Sequence, residues 1–239
     1  MSGLLTPTEF AGDDGRPDPR LRAALEAVAL DPEPAARALA VERVVLALAG
    51  ARLLVPVVAV LGDSEQSSLT GLRTDKNADM ALVTLTAPDG RVVMPVFSGT
   101  DTLAAWDGRS RPVPVTTRRA CLAAVEEGCQ LLVVDPGSAA VVVPRPALWA
   151  LAQAEAWLPS PRHPDVAAAV ERAVDAEPAV TSARTEPGTT AELVVVLAVR
   201  SGLDRTAVRA LTSRVTAALA ASRAVADHVD SVALRLESV

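Results

Sequence analysis

The sequence predicts an α/β chain, α+β in its second half: a larger mixed-sheet domain with flanking helices, followed by a small α-β-β-α-β domain. Three observations predict it. Strand-length apolar runs such as "LLVPVVAVL" and "LVVVLAV" alternate with stretches of helical periodicity. Some neighbouring runs are joined by tight-turn signals, Pro88-Asp89-Gly90 and Asp135-Pro136-Gly137, whereas others are separated by helices, so the sheet must mix strand directions. The segment "LPSPRHPD" carries three prolines in eight residues and marks a boundary. The expected division is a mobile N-terminal tail over 1–18, a larger domain over 19–158 and a small domain over 165–239.

Each element has its own reason. "PRLRAALEAV" puts Leu21, Leu25 and Val28 on one helical face behind Pro19, which suits a first turn. A second helix, "PEPAARALAVERVVLALAG", is expected to stop at Gly50 in a left-handed C′ position. "RLLVPVVAV" reads as a strand whose Pro56 favours an edge or a bulge. Residues 62–78 read as a long polar loop. "DMALVTLTAPDGRVVMPVF" reads as a hairpin, and "SGTDTLAAW" as a short helix with Ser98 as its cap. "TTRRACLAAVEEG" is a helix capped by Thr116 or Thr117 and stopped by Gly128; "CQLLVVDPGSAAVVVP" gives two strands around a turn. "PALWALAQAEAW" is expected to be one helix with Trp149 and Trp157 near the same face, either a protein-binding surface or packing between the domains or within the core. Beyond the boundary, "DVAAAVERAVDAE" is a helix, "AVTSARTEP" and "AELVVVLAV" are strands, a helix capped by Asp204 follows, and "VDSVALRL" is the last strand.

Composition narrows the function classes. Half the residues are apolar, yet the aromatics are only Phe10, Phe97, Trp106, Trp149 and Trp157, so Ala, Val and Leu must build the core. A net charge of −6 argues against nucleic-acid and anionic-membrane partners. Neither a signal-peptide pattern nor a membrane-length apolar run is present, so a cytoplasmic protein is expected. Cys121 and Cys129 match no metal or disulfide spacing and read as small buried hydrophobes. His163 and His228 read as surface or boundary histidines with no triad partners. No phosphate-cradling glycine motif and no nucleophile elbow occurs. No catalytic residue, metal site or cofactor is therefore expected.

One residue stands against the composition. Lys76 is the only lysine beside 22 arginines, and it sits in the long polar loop. A flexible ammonium there suits a carboxylate or phosphate. With Asp79 beside it, and with Ser98 and Thr100 at the start of the following helix, it makes a candidate anion-binding set: Lys76, Asp79, Ser98 and Thr100. The competing interpretation is a solvated lysine paired with Asp75 or Asp79.

Several ordered features carry a family resemblance. They are the strand around Val55-Pro56-Val57, Lys76 ahead of Asp79-Met80-Ala81, Asp89-Gly90-Arg91, Met94-Pro95-Val96-Phe97-Ser98, Trp106 and Asp135-Pro136-Gly137. Together they resemble the N-terminal domain of the SseB family, the serine-sensitivity-enhancing proteins of actinobacterial type, over about 19–157. Residues 165–239 resemble the family's smaller C-terminal domain. The resemblance implies an α/β fold and no reaction to carry over. The expected function is a non-catalytic cytosolic SseB-like module that binds an unknown protein partner or a small anionic metabolite, with homo-oligomers possible. The alternative is an enzyme acting on a small anionic metabolite, such as an amino acid, at the Lys76/Ser98 region.

Overall fold

A computed structural model describes residues 10–30, 33–60 and 79–239. Lys76 lies outside the described residues. Two helices open the fold, α1 (Pro19–Leu30) and α2 (Pro34–Leu48), and they pack against each other. Ala49 ends α2 in a right-handed conformation, and Gly50 is not among the residues with positive φ. The expected left-handed stop is thus replaced by a direct run into β1 (Arg52–Val60).

β1 is the centre of a three-stranded antiparallel sheet, flanked by β2 (Asp79–Leu82) and β5 (Arg111–Thr116). Pro56 therefore lies in a central strand, not at an edge. The arrangement is tolerated because β2 stops short: Val57–Leu82 is its last pair, and the Pro56 carbonyl accepts only the Val83 N–H beyond it. The ring forfeits only the return bond to the Val83 carbonyl, and the β1–β2 ladder ends at that pair. β5, "RPVPVT", reads poorly as a strand because it holds two prolines, and it was not expected. Its edge position leaves one side without a partner strand, which is where prolines belong.

The second sheet has the order β3-β4-β6-β7, from β3 (Leu85–Thr86), β4 (Val92–Val96), β6 (Leu131–Val134) and β7 (Val141–Val143). β4 and β6 are parallel and the outer pairs antiparallel, so this sheet is mixed as expected. The hairpin around Gly90 (φ +85°) contains only β3 and β4; β2 leaves it for the first sheet. Leu54 and Phe97 exchange backbone hydrogen bonds at 2.8 and 2.9 Å and so tie the two sheets together. Helices α3 (Thr100–Trp106), α4 (Thr117–Glu126) and α5 (Arg145–Gln153) complete this half. Thr116 caps α4 by accepting the Arg119 N–H, and Gly128 (φ +72°) follows its end.

The C-terminal part holds α6 (Pro164–Asp175), β8 (Val180–Pro187), β9 (Leu193–Val199), α7 (Arg205–Ala220), α8 (Arg223–His228) and β10 (Val232–Ser238). The expected α-β-β-α-β order holds, with α8 as an additional short helix. β9 is central, antiparallel to β8 and parallel to β10. Two large hydrophobic cores result among the described residues, with a small third cluster of Leu54, Phe97 and Leu103. One gathers α1, α2, α4, α5 and the first two sheets around Leu21, Val44, Leu53, Met94 and Leu148; the other gathers Val166, Leu193, Val195, Leu211 and Val215. Fully burying each such side chain contributes about 1.5–3 kcal/mol. Among the described residues no helix is long and apolar enough to cross a membrane.

Candidate functional site

The expected N-terminal set is partly assembled. Ser98 follows β4 directly and is buried. It does not cap α3; Gly99 holds that position. The Ser98 N–H donates to Asp135 Oδ1 at 2.8 Å and its hydroxyl to Oδ2 at 2.6 Å, while the Thr102 hydroxyl donates to Oδ1 at 2.7 Å. Asp135, just past β6, has φ +51° and is buried, so one carboxylate ties together the C-terminal ends of the two parallel strands. Thr100 faces elsewhere: its N–H donates to the Gly15 carbonyl at 2.8 Å. A Cβ on Gly15 (φ +76°) would lie 2.6 Å from the Thr100 methyl. Arg52 fastens this crossing by donating to Ser98 O (3.0 Å), Arg16 O (2.6 Å) and Asp13 Oδ1 (2.9 Å). Residues 10–18, expected within a mobile tail, are strapped across the start of α3 by these bonds. Asp79 opens β2 opposite Val60. Lys76 lies outside the described residues, so the convergence of the full set is not described.

The two cores meet along the segment 154–163, and here the cavities gather. Ala154 (φ +60°) ends α5, so Trp157 lies in the connecting segment rather than on the helix with Trp149. The eight-residue spacing therefore puts the two indoles on no common helical face. A 3-10 turn over Ser160–Arg162 follows, and Thr185 donates to its Pro161 carbonyl at 2.8 Å. Arg162 pairs with Glu42 of α2.

On one side of Trp157 lies a cavity of about 360 Å3, lined by Arg37 and Val41 of α2, Pro144, Trp157, Glu192 and Asp230. Glu192 closes the turn after β8. A Cβ on Gly188 in that turn would sit 2.4 Å from the Ala191 carbonyl, so the turn requires glycine. Glu192 Oε2 accepts the Asp230 N–H at 2.7 Å. Its Oε1, the Trp157 Nε1 and the Ser160 Oγ are the buried side-chain polar atoms without a hydrogen-bond partner among the described residues. Burial pushes the Glu192 carboxyl above its ordinary value, and the Asp230 charge adds to this; the Asp230 N–H and the nearby Ser160 hydroxyl and N–H oppose it. Asp230 is itself held from the other core. Arg91 Nη1 donates to both its oxygens at 2.9 and 2.8 Å, and the Arg145 N–H lies 3.4 Å away.

On the other side of Trp157 lies a cavity of about 430 Å3, lined by Arg145, Trp149, Trp157, His163, Asp227 and His228 among others. The two histidines of the chain stack here, with ring centroids 3.8 Å apart and planes 19° from parallel. His163 also caps α6, accepting the Asp165 N–H at Nδ1 over 3.3 Å. Burial and the neighbouring His228 push the His163 pKa down, with Asp165 opposing. Both stand at helix boundaries, as expected of boundary histidines, and the fold brings them together, which no sequence spacing records. Cys121 and Cys129 are both buried, and desolvation pushes their thiols up to about 12 and about 11, with Glu127 adding to the second.

The family model of the SseB protein N-terminal domain matches residues 21–150, which is α1 through most of α5. No curated protein matches the chain. No solved structure matches it.

Proposed function

Because the chain belongs to the SseB family, we propose that it is a cytoplasmic binding module rather than a catalyst, with its ligand seated in the seam where residues 165–239 meet the SseB N-terminal domain. On this reading residues 165–239 are a separate small domain, the family's C-terminal one. The ligand is a small metabolite carrying both an amine and a carboxylate or similar acceptor.

The observation that carries the reading is a pair of buried atoms, Trp157 Nε1 and Glu192 Oε1, without a hydrogen-bond partner among the described residues and both on residues that line one cavity of about 360 Å3. Buried polar atoms are nearly always satisfied, and each that is not costs about 1–3 kcal/mol. Two such atoms at one cavity point to a group that supplies the missing partners when it binds. Glu192 offers a carboxylate for an amine, and Trp157 Nε1 offers a donor for an acceptor; Arg37, on the cavity wall, adds a cation. The seam opens slightly to admit the ligand, since these atoms have almost no exposed surface.

The enzymatic alternative at Lys76 and Ser98 has less support. Using the Ser98 hydroxyl as a nucleophile or anion ligand means breaking its 2.6 Å bond to Asp135 in a buried site.

Glu192→Gln separates stability from binding. The Gln amide keeps the acceptor for the Asp230 N–H and presents a donor toward Ser160 Oγ, removing a desolvated charge. The variant is expected to be about 1 kcal/mol more stable than wild type at pH 7. The sign follows from linkage. A carboxyl with a raised folded-state pKa destabilises the fold when ionised, so the gap is full above that raised value and closes as pH falls toward the ordinary 4.5. In a thermal-shift panel of amino acids, amines and organic acids, a hit stabilises wild type and loses its effect in Glu192→Gln and Trp157→Phe. A panel without hits, or hits that survive both substitutions, overturns the seam as the binding site.

A further inference from the structure

We propose that His163, Asp165 and His228 form a binding site for a single divalent transition-metal ion such as Zn2+, opening onto the cavity beside Trp149. One ligand atom from each of the three residues lies within 4.8 Å of the other two. Two imidazoles and a carboxylate are a donor set that suits zinc and its neighbours. The chain has only two histidines, and the fold brings both to one point from the start of α6 and the end of α8.

The electronic state also fits. His163 accepts an N–H at Nδ1, so the neutral tautomer keeps a lone pair there and needs to shed no proton. Asp165 and Asp227 supply negative charge around the site, and Asp227 is shared with Arg223 at 3.3 Å. Arg145, the nearby cation, is turned away and donates to the carbonyls of Ala226 and Val229 at 2.7 and 3.0 Å.

Binding requires a rearrangement that is itself a signature. Tetrahedral zinc with bonds of about 2.0–2.1 Å places its donors about 3.3 Å apart, so the ligands must draw in. Two stacked rings cannot both point a lone pair at one ion, so the imidazoles must rotate out of their stack about χ2, a soft torsion. The long Asp165–His163 capping bond is exchanged for the metal. Three protein ligands leave a fourth position facing the cavity, for water or an anion.

The test uses the full chain. Calorimetric titration with Zn2+ after chelator treatment is expected to give one site, and Co2+ is expected to give visible absorption bands of a four-coordinate ion. His228→Gln and Asp165→Asn are each expected to weaken Zn2+ by at least the roughly 10–100-fold that loss of an outer-shell partner costs. Their unfolding curves in EDTA serve as the folding control, and Glu192→Gln should bind Zn2+ as wild type does, since the proposed metabolite cavity lies on the other side of Trp157. Absence of a stoichiometric Zn2+ site in wild type overturns the proposal. So does unchanged affinity in His228→Gln and Asp165→Asn, which would locate the ion elsewhere.

Discussion

Replacing Asp135 by alanine is expected to destabilise the SseB N-terminal domain by about 3–5 kcal/mol in chemical denaturation, a loss large enough to unfold a marginal domain. Three donors lose their acceptor at once: the Ser98 N–H and hydroxyl, both buried, and the Thr102 hydroxyl. Thr102 can turn to the Gly99 carbonyl at 3.0 Å, but the Ser98 N–H has no second acceptor there. Alanine also tolerates the left-handed φ of +51° less well than aspartate. Asp135→Asn is the discriminating control. It keeps the backbone preference and an oxygen for the Ser98 and Thr102 donors, and its amide can donate to a reversed Ser98 hydroxyl. Its cost is expected to be about 1 kcal/mol, the loss of charge assistance. If alanine cost no more than asparagine, the carboxylate would not be what joins β4 to β6.

How much of this was legible in the sequence depends on what kind of signal each residue carries. Period and turn chemistry located α1, α2, α4, the hairpin at Gly90 and the strand pair around Asp135-Pro136-Gly137, because those signals are local. Proline misled at Pro56. Its meaning depends on which side of a strand lacks a partner, and that is fixed only when β1 is found between β2 and β5. Ser98 reads as the cap of α3, a position that Gly99 holds. A cap and a buried hydrogen-bond partner call for the same residue type, and only the return of the chain through Asp135 decides between them. The seam was invisible for a stronger reason. Glu192, Asp230, Trp157 and the histidine pair come from three separate stretches, the segment 154–163, the β8–β9 turn and the α8–β10 junction, and nothing local predicts that these meet. The proline-rich boundary marked where to look, but not that cavities gather there.

The seam makes the second large prediction, and its sign is asymmetric. Arg91→Ala is expected to cost about 3 kcal/mol, more than Asp230→Asn at about 1 kcal/mol, although both break the same ion pair. Asp230's side chain is 8% exposed and Arg91's is 29%, so the survivor differs in each variant. Without Asp230 the guanidinium keeps Asp89 at 2.7 Å and reaches water. Without Arg91 a carboxylate is left desolvated, with one backbone N–H at 3.4 Å and Glu192 beside it. The unpaired Asp230 charge then raises the Glu192 carboxyl further, so part of the loss is recovered as pH falls through the Glu192 titration. A double variant tests this coupling directly. Adding Glu192→Gln to Arg91→Ala should restore more stability at pH 7 than Glu192→Gln adds to wild type, because it removes a repulsion that exists in full only when Arg91 is absent. Thermal unfolding should show the same event as a splitting of the transition, the core around Leu193 and Val215 melting first once its hold on Arg91 is gone. Additive effects and a single undivided transition would mean that the two cores are held together by their apolar contacts, with the arginine clamp a minor term.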